Sequence, residues 1–255
     1  MNYFFGINNN IYKSQITIPK FQNRGATNKK ISLYKCYPHN GQWRIEQLLK
    51  NDLSNDFYRV ENDSVKNNEV YFLAYKEDLV GYDGFKLKNF NKFSDTNHSY
   101  RANFKIFNSY NKKGFSSYQS EYPFGMVSKQ SSIVSSVSSI CNNEANKNYI
   151  LLKNIYEKAI HETFYGFLVD INKKIILEKF ELKTNYTNLL ELKNEFIKPS
   201  IYFVTDQYLG IPVYISEKNG HLSMEHTHPP HTYIFSKDKF KRVQKLKDKI
   251  GKIIN

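Results

Sequence analysis

The sequence predicts an α+β fold that is rich in β-structure, with a mostly antiparallel, sandwich-like core and a few helices. Short runs of β-branched and aromatic residues recur along the chain, and the part after Asn148 consists almost entirely of such runs separated by turn residues. The chain closes on a basic amphipathic stretch, 240–253, whose apolar residues recur at helical spacing. Together these observations predict packed antiparallel sheets and a C-terminal helix.

Length and composition predict a single domain over 1–255, since 255 residues can bury a sizeable core. The composition subdivides it into a mixed α/β segment (1–80), an aromatic, loop-rich segment (81–124) and a β-rich segment with the C-terminal helix (125–255). Cys36 and Cys141 are the only cysteines, so we expect a cytoplasmic location rather than a disulfide framework. No run is long and apolar enough to predict a membrane span.

Hydrophobic spacing predicts the individual elements. Strands are expected at 15–18, 31–36, 69–75, 101–108, 149–152 and 201–205, and a hairpin from 164–170 and 175–182. Apolar residues at helical spacing predict one helix through 43–53 and another through 131–141. The C-terminal helix should follow Ser236, a good N-cap residue, with Phe235 and Phe240 as a hydrophobic staple.

A second hairpin is predicted around Asn219-Gly220, because a two-residue type I′ turn needs positive φ at both positions. This turn pairs 211–216 with 221–228, placing Lys218 opposite His221 and Ile215 opposite Met224. The residues expected on the core face are Val213, Ile215, Leu222, Met224 and His226, with Tyr214, Ser216, Ser223 and Glu225 outside the core.

The end of this hairpin carries the strongest chemical signal, since four of the seven histidines fall within 221–231. Imidazoles converging from one strand suit zinc, iron or nickel, so His226, His228 and His231 are predicted ligands of a divalent metal. A further ligand could come from Glu225, His98, His161 or Asp206. We expect His231 to act as a ligand or as an acid–base group, and Glu225 either to orient a ligand histidine or to transfer protons. The alternative is a set of hydrogen-bonded histidines at a strand end.

The segment 82–124 has few aliphatic residues and many Phe and Tyr residues interleaved with amides and hydroxyls. Rigid rings beside short polar groups are typical of a surface that binds a polar, sugar-like ligand. The predicted ligand-binding residues are Tyr100, Arg101, Tyr118, Glu121 and Tyr122. The alternative is that these rings pack beneath loops.

The net charge is +13, but only five of the 37 cationic side chains are arginine. The abundance of Lys, Asn, Ile, Tyr and Phe indicates an AT-rich composition that accounts for much of the basicity. A nucleic-acid partner is therefore the weaker alternative, because arginine makes the commonest specific base contacts. The lysines of the C-terminal helix are expected to form a solvated face, with RNA or a membrane surface as less favoured partners.

These features support three hypotheses. The first is a protein whose histidine-bound metal acts on a small polar, carbohydrate-like substrate. The second is a non-enzymatic module that binds carbohydrate through 82–124, and the third is an RNA-associated basic protein. The chain lacks a phosphate-binding glycine loop, a nucleophile elbow and a His-Glu-x-x-His motif, so the enzyme class stays open.

Overall fold

The computed structural model of the chain describes residues 2–20, 31–87, 101–110, 114–120, 122–123, 134–208, 210–226 and 239–255. Within these ranges there are seventeen β-strands and one α-helix. The β-rich, antiparallel prediction is confirmed, whereas the prediction of a few helices is an overestimate.

The first part of the chain forms nine strands: β1 (Asn2–Tyr3), β2 (Tyr12–Pro19), β3 (Ser32–His39), β4 (Gln42–Gln47), β5 (Phe57–Val60), β6 (Val70–Ala74), β7 (Ala102–Asn108), β8 (Phe115–Ser120) and β9 (Tyr122–Pro123). They make a sheet of order β5-β2-β7-β8, a sheet of order β4-β3-β6 and the pair β1-β9. The predicted strands at 15–18, 31–36, 69–75 and 101–108 are confirmed.

The second part forms β10 (Ser135–Ser136), β11 (Lys147–Asn154), β12 (Thr163–Asp170), β13 (Ile175–Lys183), β14 (Thr187–Leu192), β15 (Ile201–Thr205), β16 (Gly210–Lys218), β17 (His221–His226) and the helix α1 (Lys239–Ile254). Their sheets have the orders β10-β15-β12-β13 and β14-β11-β16-β17. The strands at 149–152 and 201–205, both predicted hairpins and the C-terminal helix are confirmed, while Ser236 and Phe235 lie outside the described residues.

The sheet β14-β11-β16-β17 is the central layer, since both of its faces carry buried side chains. Tyr149 and Leu151 of β11 join the core formed with the two N-terminal sheets. Ile150 and Leu152, which point the other way, pack with Phe164, Leu168 and Phe203 of the neighbouring sheet. The outer face of that neighbouring sheet is covered by α1, so the molecule is built in layers.

The register of the β16–β17 hairpin agrees with the prediction. Lys218 pairs with His221 and Ile215 with Met224, and Asn219 and Gly220 have φ values of 54° and 80°. Val213, Ile215 and Met224 are buried in one core cluster. Tyr214 and Ser216 were expected outside the core but are buried on the opposite face, because the neighbouring sheet covers it.

The helix predicted through 43–53 is wrong, because its first residues form β4. Asn40 and Gly41 have φ values of 50° and 74°, which is a two-residue turn that folds β4 back on β3. Leu49 and Leu53 are 75% and 42% exposed, so the apolar residues that suggested a helix do not share a buried face. The described part of segment 1–80 is therefore strands and short 3-10 turns rather than mixed α/β structure.

The helix predicted through 131–141 is also wrong in its described part. Ser135 and Ser136 form β10 against β15, and the Val137 amide donates to the Ile201 carbonyl at 3.2 Å. The two strands β8 and β9 likewise replace part of the loop structure expected in 81–124. In both places the edge of a sheet supplies backbone partners that local spacing does not reveal.

Candidate functional site

His226 ends β17 and pairs with Val213, so its side chain lies at the end of the buried row, as predicted. The imidazole is 17% exposed, and its Nδ1 atom is 3.3 Å from Oε1 of Glu225. The same carboxylate oxygen accepts the His226 backbone N–H at 2.9 Å. Glu225 is therefore placed to orient this imidazole, which is one of the roles expected for it.

The other predicted metal ligands are not assembled by the described residues. His221 is exposed at the opposite end of β17, and His228, His231 and His98 lie outside the described residues. His161 Nδ1 lies 2.8 Å from the Thr184 carbonyl, and Asp206 accepts the Tyr165 amide at 3.1 Å. Within the described ranges no three histidine, cysteine or carboxylate side chains are grouped as a metal would require. The predicted metal site stays a prediction.

The aromatic segment and the histidine-bearing hairpin are neighbours in the fold, because β8 lies beside β17. Gly114 precedes β8 and packs on the turn before β17, so closely that a Cβ atom there would be 1.8 Å from the Gly220 carbonyl oxygen. At the same end of the sheets the Tyr12 hydroxyl donates to Glu217 at 3.1 Å. Farther along, the Gly6 carbonyl accepts the Thr187 hydroxyl at 2.9 Å. β8 and β17 therefore begin at the same end of the molecule and lie side by side at this edge.

This edge carries part of the predicted ligand-binding set. Arg101 is exposed directly before β7, whose first residue, Ala102, pairs with Ser120 at the end of β8. Tyr118 belongs to β8, and Tyr122 belongs to β9, where it pairs with Tyr3. Tyr100 and Glu121 lie outside the described residues. The fold thus places β8 of the aromatic segment beside β17.

The aromatic segment itself divides into packing and exposed residues. Phe104 is 1% exposed and Phe107 8%, so the packing alternative holds for them. Phe85, Tyr110 and Phe115 are 59%, 73% and 57% exposed. Lys105 Nζ lies 4.1 Å above the Phe115 ring, a favourable contact that partly covers this ring.

A groove with three aromatic residues lies on the sheet β4-β3-β6. This groove, called here the Trp43 groove, has a volume of about 420 Å³ and is lined by Tyr34, Gln42, Trp43, Arg44, Ile45, Leu79, Tyr82, Asp83 and Gly84. The side chains of Arg44 and Asp83 are exposed, so opposite charges stand beside the rings. Two other surface cavities, of about 510 and 360 Å³, are lined mainly by polar and charged residues and one ring each.

The floor of the Trp43 groove is held by hydrogen bonds. The Trp43 indole Nε1 donates to the Glu157 carbonyl at 2.6 Å, and the Trp43 amide donates to the Gly84 carbonyl at 2.7 Å. The Tyr82 hydroxyl donates to the Lys86 carbonyl at 2.8 Å. Gly84 has a φ of 79°, a conformation that favours glycine and brings the 82–84 turn onto β4. These bonds fix the rings in place before any ligand arrives.

Burial also sets the chemistry of the tyrosines in this groove. Burial raises the pKa of Tyr34 and of Tyr82 above the usual value for a phenol. Both hydroxyls therefore stay protonated near neutral pH, and the Tyr34 hydroxyl is buried beneath the groove. The Tyr34 ring is held by stacking on Phe72, with centroids 5.7 Å apart and planes 21° apart.

The sequence reasoning missed the Trp43 groove, because Trp43 was assigned to a helix. The signal that could have found it is Asn40-Gly41. An Asn-Gly pair of the same kind, Asn219-Gly220, correctly identified the second hairpin. With that turn recognised, Trp43 alternates with exposed Arg44 on a strand. Only the fold could then bring Tyr34 and Tyr82 to the same place.

A buried lysine is the other chemically unusual group. Lys153 is 0% exposed, and its Nζ donates to the carbonyls of Asn67 and Glu69 at 2.7 and 3.2 Å. Burial lowers its pKa from 10.5 to about 7, against the opposing influence of Cys36 and Glu69. Because the ammonium has no access to solvent and lies against main-chain carbonyls, it joins the two halves of the chain rather than forming a reactive site.

Searches against protein-family models, curated proteins and solved structures find no significant match to this chain. Among the described residues, no helix has the length and apolar character needed to cross a membrane.

Proposed function

We propose that this protein binds a small polar ligand with an apolar face, of the carbohydrate type, in the Trp43 groove. The observation that carries the proposal is the convergence of Tyr34, Trp43 and Tyr82 with Arg44 and Asp83 around one concave surface. This develops the second hypothesis from the sequence, since Tyr82 and Asp83 belong to the aromatic segment.

The chemistry of the lining suits a sugar ring. A pyranose presents C–H groups on its faces, which contact aromatic rings, and hydroxyls around its rim, which need charged or amide partners. Arg44 offers donors only, Asp83 offers acceptors, and Gln42 offers both. The volume of about 420 Å³ falls within the range of small-molecule sites.

Tyr82 is the partly exposed ring of the groove, whereas Tyr34 and Trp43 are 4% and 3% exposed and form its rigid, buried floor. Trp43 is 3% exposed and tied to Glu157 and Gly84 through its indole and backbone N–H groups. A preformed site loses little conformational freedom when the ligand binds, which favours affinity. Arg44, by contrast, is exposed and available to a ligand.

A glycan array tests the proposal. Wild-type protein is expected to select a restricted set of glycans, and Tyr82→Ala should weaken binding about tenfold, the value of roughly one stacking contact. The matched control is Phe85→Ala, which removes an exposed ring that does not line the groove. Absence of glycan binding, or equal loss in both variants, would contradict the proposal.

A second function, a divalent-metal site acting on a polar substrate, is favoured by one observation. The imidazole of His226 lies at the end of the buried row beside Glu225, on the strand that lies next to β8. His228 and His231 would complete the zinc, iron or nickel site, with Arg101 and the β8 residues toward the substrate.

Metal analysis of protein purified without a histidine tag separates the two proposals. The metal proposal requires stoichiometric metal that is lost in the His226→Ala/His228→Ala double variant. It fails if wild-type protein carries none after incubation with zinc, iron or nickel. Glycan binding in the Trp43 groove should be unchanged in the double variant.

A further inference from the structure

Much of the excess positive charge is concentrated in the C-terminal helix. Residues 239–255 contain six lysines and Arg242 against one carboxylate, Asp248, a net charge of +6 in a chain whose total is +13. Compositional drift toward lysine would spread the charge along the sequence, so it does not explain this concentration.

The apolar side of α1 packs on the fold through Ile250 and its partly buried neighbours. Ile250 is 3% exposed in a cluster with Phe167, Val169 and Val204 of β12 and β15, and Leu246, Ile253 and Ile254 pack against the same cluster. This contact fixes the helix on the outer face of its sheet and directs the opposite side of the helix to solvent.

The solvent side of α1 carries a row of cations. Lys241, Lys245, Lys249 and Lys252 are exposed and separated by four, four and three residues, which places them on one face. The row spans about 16 Å at the helical rise per residue. Asp248 lies beside the row, and its carboxylate accepts a hydrogen bond from the Gln244 amide at 2.8 Å. Asp248 is the only carboxylate residue within 239–255, so the helix keeps a large excess of positive charge.

We propose that this lysine row of α1 is a binding surface for the phosphate backbone of a nucleic acid. About ten phosphates lie along 16 Å of a duplex when both strands are counted, so four lysines on a rigid helix can each approach one. The chemistry is sequence-independent, because lysine binds phosphate as a point charge and the row offers no bidentate base reader.

An acidic membrane surface fits the geometry less well. Amphipathic helices bind membranes by inserting their apolar face between lipid head groups. The apolar face of α1 packs against β12 and β15, so inserting it between lipids would require the helix to leave its sheet. A nucleic acid needs no apolar insertion, so the observations favour it.

Fluorescence anisotropy with a labelled 20-base-pair duplex of mixed sequence tests the proposal. If four phosphate contacts form, affinity should fall about 150-fold between 50 and 200 mM salt, since each contact contributes about −0.9 to the slope of log K against log salt. Lys241→Gln/Lys245→Gln/Lys249→Gln/Lys252→Gln should abolish this salt dependence. The corresponding four-arginine variant should retain it, because it keeps the charge.

The matched control removes four exposed lysines elsewhere: Lys50→Gln/Lys66→Gln/Lys76→Gln/Lys147→Gln. It carries the same change in net charge, so unchanged duplex binding assigns the effect to α1. Equal weakening in both glutamine variants would overturn the proposal, as would undiminished binding in the α1 variant. Tighter binding to vesicles containing phosphatidylserine than to the duplex would also overturn it, in favour of a membrane partner.

Discussion

Raising the pH from about 7 to 8.5 is expected to stabilise the fold through Lys153. In the folded chain burial lowers the pKa of this ammonium from 10.5 to about 7, whereas the unfolded chain keeps the ordinary value. Between these two values the unfolded state binds more protons than the folded state. The folded state therefore becomes more stable as the pH rises through this window. Well below pH 7 this lysine contributes no pH dependence.

The magnitude follows from proton linkage. Each pH unit in the window changes the free energy of unfolding by up to 1.4 kcal/mol, and partial protonation near pH 7 reduces the total gain to about 2 kcal/mol. Cys36 acts in the opposite direction, because burial raises the pKa of its thiol and the unfolded chain ionises first. Burial raises the pKa of the Cys141 thiol as well, so both thiols oppose the rise near their ordinary pKa of about 8.5, and the slope between pH 7 and 8 reports mainly Lys153.

Urea denaturation at pH 7.0, 7.5, 8.0 and 8.5 measures this dependence. Lys153→Met introduces an apolar side chain of similar length without a titratable group. It should abolish the increase in the free energy of unfolding with pH. Lys147→Met is the matched control, because Lys147 lies exposed on the same strand and should leave the dependence unchanged. Equal pH dependence in wild type and Lys153→Met would refute the account of a buried, largely neutral lysine.

Three further substitutions test the packing. Gly114→Ala should lower the free energy of unfolding by about 3 kcal/mol, since its Cβ would lie 1.8 Å from the Gly220 carbonyl oxygen. Unchanged stability would mean that β8 does not pack there. Gly251→Ala, where nothing lies within 4 Å, should raise thermal stability by about 1 kcal/mol through helix propensity; a loss would argue against the α1 assignment. Thr187→Val should cost about 1–2 kcal/mol in urea, because the Gly6 carbonyl loses its 2.9 Å hydrogen bond, and a neutral result would deny that contact.

The strands could be predicted where alternation and turn residues agree. At 211–226 the apolar pattern and Asn219-Gly220 specify the same register, and the structure has that register. At 43–53 the spacing of apolar residues suits a helix when taken alone, but the Asn40-Gly41 turn makes the first part a strand. The spacing of apolar residues therefore predicts the wrong element where a turn-forming residue pair directs the following residues into a strand.

The second buried face of the central sheet could not be predicted from one strand. Tyr214 is 1% exposed although it alternates with the core residues Val213 and Ile215. Its burial depends on Phe203 and Leu168 of another sheet, which no local pattern connects to β16. The same reason hides Lys153, whose carbonyl partner Glu69 is 84 residues away.

The candidate site was predicted in part. The inward position of His226 follows from strand alternation and is confirmed, while the remaining histidines lie outside the described residues. Composition placed Tyr82 in the aromatic segment but did not single it out among the predicted ligand-binding residues. Its neighbours Tyr34 and Trp43 come from β3 and β4, and only the tertiary fold joins the three.

Tryptophan fluorescence gives the most direct test of the central claim, because Trp43 is the only tryptophan in the chain and lines the proposed groove. Titration with a saccharide selected on the glycan array should produce a saturable change in the emission of Trp43. The dissociation constant should rise about tenfold in Tyr82→Ala and stay unchanged in Phe85→Ala and His226→Ala. Calorimetric binding of the same saccharide without any change in Trp43 emission would place the ligand elsewhere and contradict the account.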